Sequence, residues 1–146
     1  MKKYDFYLAS GWFNPEQEKA RQDILKVLKE YKAKYFSPRE EIVCAPDANE
    51  EEQQKVFDGN INAIKDSFFM IASTVGKDMG TLHETGHASA LNIPIIYYCP
   101  GLKGNFNLML AQTAIAVATT EEELQEHVEN ILNNKFYTKK YRGTIE

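Results

Sequence analysis

Phe68-Phe69-Met70-Ile71-Ala72-Ser73 is an unbroken apolar run of strand length, and Ile95-Ile96-Tyr97-Tyr98-Cys99 is another. Runs without polar alternation fit strands covered on both faces, the usual condition in a parallel sheet. Neighbouring parallel strands cannot be joined by a tight turn; they need a crossover, most often a helix. A chain with such runs has to place helical segments between them, and the periodicity of this one does so.

Residues 4–9 read as a first strand, rich in aromatics and followed by the turn signal Ser10-Gly11. Asn14-Pro15 is a helix start, with asparagine as N-cap and proline in the first helical position. Ala20, Ile24, Val27, Leu28 and Tyr31 then recur at helical spacing. Lys34-Tyr35-Phe36 and Ile42-Val43-Cys44 each read as a short strand, separated by Ser37-Pro38-Arg39. Glu50 to Asp66 reads as a helix with Val56, Ile61 and Ile64 inward. After a turn at Asp78 a short helix runs to about Leu91, where Asn92-Ile93-Pro94 ends it. Asn107 to Gln112 is a helical turn and Ile115 to Ala118 a last strand; Thr120 caps an acid-rich final helix with Val128, Ile131 and Leu132 inward. Strands alternating with helices predict one α/β domain over residues 1–146, built on a mainly parallel five-stranded sheet with helices on both faces. In open sheets of this kind, ligands bind beyond the carboxyl ends of the strands. That gathers Tyr7 to Phe13 and Ser73 to Thr81 around one crevice.

The 146 residues carry a formal charge of −4, which argues against nucleic acid as the main partner. No run approaches the roughly 18 apolar residues needed to span a bilayer, and the polar start Tyr4-Asp5-Phe6-Tyr7 lacks a signal-peptide core. The two cysteines, Cys44 and Cys99, form no C-x-x-C pair and suggest a reducing compartment. The expectation is a cytoplasmic protein without membrane contact.

Two chemistries compete for Asp78-Met79-Gly80-Thr81-Leu82-His83-Glu84-Thr85-Gly86-His87. Read from His83 it is H-E-x-x-H, which on a helix can place two imidazoles on zinc with the glutamate as general base. Catalytic zinc needs a third protein ligand, but no acidic residue occurs between Glu84 and Glu121, and His127 falls on another helix. Gly86 also weakens the long helix such sites use. Read from Asp78, the segment is a turn into a helix presenting Glu84, with a second carboxylate, Asp78, ahead of it. Two explanations of those carboxylates stand side by side: catalysis, or capping through the Thr81-x-x-Glu84 box or through Asp78 itself.

With its neighbours, this stretch resembles the nucleoside 2-deoxyribosyltransferase family. Tyr7-Leu8-Ala9-Ser10-Gly11-Trp12-Phe13 is similar to that family's opening strand and loop. Asp78 to Gly86 fits its D-x-G-T-x-x-E-x-G signature, Phe106-Asn107-Leu108-Met109 its F-N-L-M segment, and Tyr141 to Glu146 its C-terminal tail. The resemblance implies a flavodoxin-like, Rossmann-like sheet, no cofactor and no metal. It also implies transfer of 2-deoxyribose between purine or pyrimidine bases through a covalent glutamyl intermediate, with retention. The substrates would be 2-deoxynucleosides and free nucleobases.

By the same carry-over Glu84 is the nucleophile, Tyr7 orients its carboxylate, and Asp78 binds sugar hydroxyls or assists proton movement. Gly11, Trp12, Phe13 and Gly80 line the substrate site. Asn107 and Met109 would enter a neighbouring subunit's site in a homo-oligomer, hexameric or built from dimers. The tail, residues 135–146, would bring the Glu146 carboxylate over the base. The structural alternatives are a buried strand tyrosine for Tyr7, an N-cap for Asn107, core for Met109 and a frayed end for Glu146. The family usually carries I-K-x-x-D before its third strand, with the aspartate facing the base; here Phe68 stands in that place, and the expectation is that it stacks on the base or narrows the pocket. The rival functions are an N-glycosidase using water as acceptor, a non-catalytic nucleoside-binding module and a zinc peptidase.

Overall fold

The computed structural model describes residues 1–146. Strand β1 (Tyr4–Ala9) leads through helix α1 (Pro15–Glu30) to the two-residue β2 (Tyr35–Phe36). A single turn, α2 (Pro38–Glu41), and a long helix, α3 (Glu50–Lys65), precede β3 (Ser67–Ser73). A 3-10 turn (Val75–Lys77) enters α4 (Met79–Ala90), and β4 (Ile95–Tyr98), α5 (Leu108–Thr113), β5 (Ala114–Ala118) and α6 (Glu121–Asn133) follow. All four strand pairings are parallel, in the order β2-β1-β3-β4-β5. This is the α/β, flavodoxin-like arrangement that the strand–helix alternation and the resemblance predicted.

Side-chain alternation along the strands splits the core in two. Phe6, Leu8, Phe69, Ile71, Ile96 and Tyr98 pack with Ile24 and Leu28 of α1 and with Leu124 and Val128 of α6. Tyr7, Ala9, Met70, Ala72, Ile95 and Tyr97 face the other side, where Ala63 and Ile64 of α3, Ala88 of α4 and Ala111 of α5 cover them. Helix entries are locally encoded. Asn14 Oδ1 accepts from Gln17 N–H at 2.9 Å, Asn49 forms a reciprocal capping box with Glu52, and Thr120 Oγ1 accepts from Glu123 N–H at 3.1 Å. Each such cap is worth about 1 kcal/mol.

Ile42-Val43-Cys44 is not a strand. Pro38 starts a helical turn instead, and the residues after it run as a loop with Val43 and Cys44 exposed. Ile42 N–H bonds Pro38 O at 3.1 Å, so this segment closes the helical turn and does not add a strand outside β2. The C-terminal residues return along the sheet: Lys139 N–H bonds Ile115 O at 2.7 Å, and Phe106 exchanges backbone bonds of 2.9 Å each with Thr144 and Glu146. No helix is long and apolar enough to cross a membrane.

Candidate active site

From β1 the chain turns to β2 on one side, and β3 then pairs with β1 on the other, so the connections diverge between β1 and β3. That divergence leaves a crevice beyond the carboxyl ends of the two strands, the usual ligand position in such sheets. A cavity of about 340 Å³ lies there, lined by Ser10, Trp12 and Phe13 after β1, by Asp78, Gly80, His83 and Glu84 at the start of α4, and by Phe57, Asn60 and Ile61 of α3 with Pro38.

The chemistry of the cavity is set by two side chains distant in sequence. Tyr7 points from β1 toward the α3/α4 face, fully buried, its ring stacked on Phe36 at 5.6 Å. Its hydroxyl donates a hydrogen bond to Glu84 Oε2. Glu84 is the sixth of the twelve residues of α4 and lines the cavity from that helix. Burial raises the Glu84 carboxyl from its ordinary 4.5 to about 7; the Tyr7 hydrogen bond opposes the rise and the negative charge of Asp78 adds to it. Burial first, and then the adjacent carboxylate, push the Tyr7 phenol far above its ordinary range, so it serves as a donor. A carboxyl that titrates near neutrality, with one oxygen fixed by a phenol, can supply a carboxylate to an electron-poor carbon.

Capping and site chemistry turn out to be divided between the two carboxylates. Asp78 is the cap of α4: its Oδ2 accepts from Thr81 N–H and from Thr81 Oγ1–H, both at 2.9 Å. Glu84 does not reach back to the helix start, and Tyr7 is its partner instead.

Gln17 holds the loops that carry the cavity walls. It is buried, and its Oε1 accepts from Phe13 N–H at 2.9 Å. Its amide lies between Gly11 and Gly76: a Cβ on Gly11 would sit 2.6 Å from Gln17 Oε1, and one on Gly76 would overlap Gln17 Nε2. Gly76 also has φ of 72°, a conformation that favours glycine. The two glycines let the loop after β1 and the loop after β3 close on one side chain.

Of the residues singled out in the sequence, Glu84, Asp78, Gly80, Trp12 and Phe13 meet in this cavity, Tyr7 bonds Glu84, and Gly11 is buried in the loop behind Trp12. Four others do not. Phe68 is the second residue of β3, exposed at the amino end of the sheet with its ring beside Phe69. At roughly 3.3 Å per residue it lies about 16 Å along the strand from the carboxyl end, so stacking on a base in this cavity is ruled out for it. Asn107 caps α5, accepting from Leu110 N–H at 3.1 Å, and Met109 is 73% exposed rather than core. Glu146 pairs with Phe106, and with Asn107, Thr74, Lys77 and Leu82 it lines a separate cavity of about 380 Å³. Within one chain the tail therefore does not close over Glu84.

Sequence reasoning missed Pro38, Phe57, Asn60, Ile61 and His83 as cavity residues. Asn60 carries the clearest physical signal, because its Oδ1 is buried without a hydrogen-bond partner. In the sequence, only the helical spacing of Phe57, Asn60 and Ile61 on one face of α3 marked them, and that pattern is shared with ordinary core. His83 and His87 are not joined by a third ligand: the chain assembles no group of three His, Cys, Asp or Glu side chains able to hold a metal ion.

Comparison with known proteins gives a consistent picture. Residues 6–132 match the family described as nucleoside 2-deoxyribosyltransferase. Among solved structures, a 2-deoxyribosyltransferase from Bacillus psychrosaccharolyticus is similar with a TM-score of 0.78 and 27% identity, covering 94% of this chain and 98% of that one. A conserved protein from Enterococcus faecalis V583 has a TM-score of 0.67 at 16% identity, over 86% and 96% of the two chains. A CMP N-glycosidase from Clostridium botulinum has a TM-score of 0.53 at 21% identity, over 85% and 97%. Comparison with curated proteins found no match.

Proposed function

Because the chain belongs to the nucleoside 2-deoxyribosyltransferase family, we propose that it moves 2-deoxyribose from one nucleobase to another through a covalent intermediate on Glu84. The observation that carries this reading is the Tyr7–Glu84 hydrogen bond at the base of the crevice between β1 and β3. Leaving of a base makes C1′ of the sugar oxocarbenium-like, and a nearby carboxylate can stabilise and then bond it. Tyr7 fixes Oε2 and so presents the other oxygen of Glu84 to C1′. Two displacements at that carbon, first by Glu84 and then by the incoming base, retain the configuration.

Trp12 and Phe13, whose ring centroids are 5.0 Å apart, offer with Phe57 an apolar wall suited to a flat base. Asn60 supplies the amide that a base edge needs, and its unpaired Oδ1 supports that assignment in place of Phe68. Asp78 flanks the sugar. Phe13 is 71% exposed, as are Met79 at 84% and Met109 at 73%, an unusual set of uncovered apolar side chains. We assign them to contacts with a second copy of the chain, which would bring its Asn107 and Met109 to the open mouth and exclude water. An open mouth in the single chain favours a second reading, N-glycosidase activity, since water would reach the same intermediate.

Incubation with deoxythymidine and free adenine separates the outcomes. Deoxyadenosine plus thymine supports transfer, thymine plus free deoxyribose supports hydrolysis, and no reaction rejects both. Turnover of Glu84→Ala near the wild-type rate would remove the nucleophile from the mechanism.

A further inference from the structure

A departing base takes the electron pair of the C1′–N bond, and a neutral base leaves poorly unless it receives a proton as that bond breaks. Only three titratable side chains line the cavity: Asp78, His83 and Glu84. Glu84 is committed to C1′ in the proposed function, on which this inference rests. Asp78 is committed to the helix, with one oxygen accepting two hydrogen bonds from Thr81. His83 remains. It precedes Glu84 on α4 and lines the same cavity from the exposed rim, where its ring lies 6.2 Å from that of Phe57 at 49°. Its ring neighbour is thus apolar, and it shares the cavity wall with Asp78 and Glu84. Imidazole is also the side-chain type that can both give and take a proton near neutrality.

The geometry points to His83 as the general acid–base of the reaction, a catalytic residue that touches the nucleobase. As a Glu84 oxygen bonds C1′, the C1′–N bond breaks and its electron pair passes to the base. The proton moves from the His83 imidazolium to a ring nitrogen or carbonyl oxygen of that base, leaving His83 neutral. In the second half, the nitrogen of the incoming base bonds C1′, Glu84 departs as carboxylate, and neutral His83 takes the proton the incoming base loses. Protons and charges balance over the cycle, and no cofactor takes part. The histidine that opens the H-E-x-x-H pattern thereby has a use that needs no metal.

The test varies the leaving group. 2′-Deoxyadenosine needs a proton to lose its base, whereas N7-methyl-2′-deoxyguanosine carries a base already cationic and needs none. His83→Phe keeps a ring against Phe57 and removes the proton, and His83→Gln removes the ring as well. In both variants kcat for deoxyadenosine should fall by about a hundredfold or more, the usual contribution of a general acid. Single-turnover release of 7-methylguanine from the N7-methylated donor, which precedes the incoming base, should stay within about threefold of wild type, which also shows that the variants fold. Equal losses on both donors, or no loss on either, overturn the assignment. A wild-type protein inert on both donors overturns the glycosyl-transfer reading itself.

Discussion

Replacing Glu84 by glutamine separates the cost of burying a charge from the chemistry that charge performs. Glutamine keeps the shape and an acceptor oxygen for the Tyr7 hydroxyl but cannot ionise. In the wild-type protein, burial lifts the carboxyl from 4.5 to about 7, so the folded state holds this proton more tightly than the unfolded chain does. The stabilisation that results is complete below about pH 4.5 and is lost as the pH rises through about 7, where the carboxylate must form in a buried site. At about 1.36 kcal/mol per pH unit the full effect is about 3 kcal/mol, of which about 2.5 kcal/mol disappears between roughly pH 5 and pH 8. Glu84→Gln has no such loss. Urea unfolding of both proteins at those two pH values should show the variant gaining about 2.5 kcal/mol relative to wild type at the higher pH. A wild-type-minus-variant difference that stays constant within about 0.5 kcal/mol between the two pH values would refute the claim that Glu84 is held as a desolvated acid. The same variant should show no base exchange.

The neighbours of Glu84 should move its titration in opposite directions. Asp78→Asn removes a like charge and shifts the acidic limb of the kcat/KM profile to lower pH; Tyr7→Phe removes the hydrogen bond that favours the carboxylate and shifts that limb up. Loss of that charge-assisted bond should also lower kcat/KM roughly tenfold to a hundredfold, equivalent to about 1.5–3 kcal/mol. Gly76→Ala should lower the thermal midpoint by about 3 °C or more, because the new Cβ meets Gln17 at positive φ. Gly59→Ala, which meets nothing within 4 Å in α3, should raise the midpoint by about 2 °C. Phe68→Asp should leave the ratio of rates on purine and pyrimidine donors unchanged, since Phe68 lies at the far end of β3; a changed ratio would contradict its placement.

The sequence by itself determined what depends on near neighbours. Unbroken apolar runs marked β3 and β4 as central strands, Asn14-Pro15 and Thr120 marked helix starts, and the Asp78 to Gly86 pattern marked the turn that carries Glu84. These are consequences of side-chain period and capping, which act within a few residues. Tertiary structure decided what depends on strand order. Only the pairing of β1 with β3 brings Tyr7 to Glu84 across 77 residues, and only tertiary burial, in a crevice that α3 helps to cover, desolvates that carboxylate. The same cover put Asn60 and Phe57 in the cavity and left Phe68 outside it, a distinction invisible to local spacing because both ends of a strand share one pattern. Ile42 to Cys44 shows the limit from the other side: β propensity gives way where Pro38 opens a helical turn that closes on Ile42.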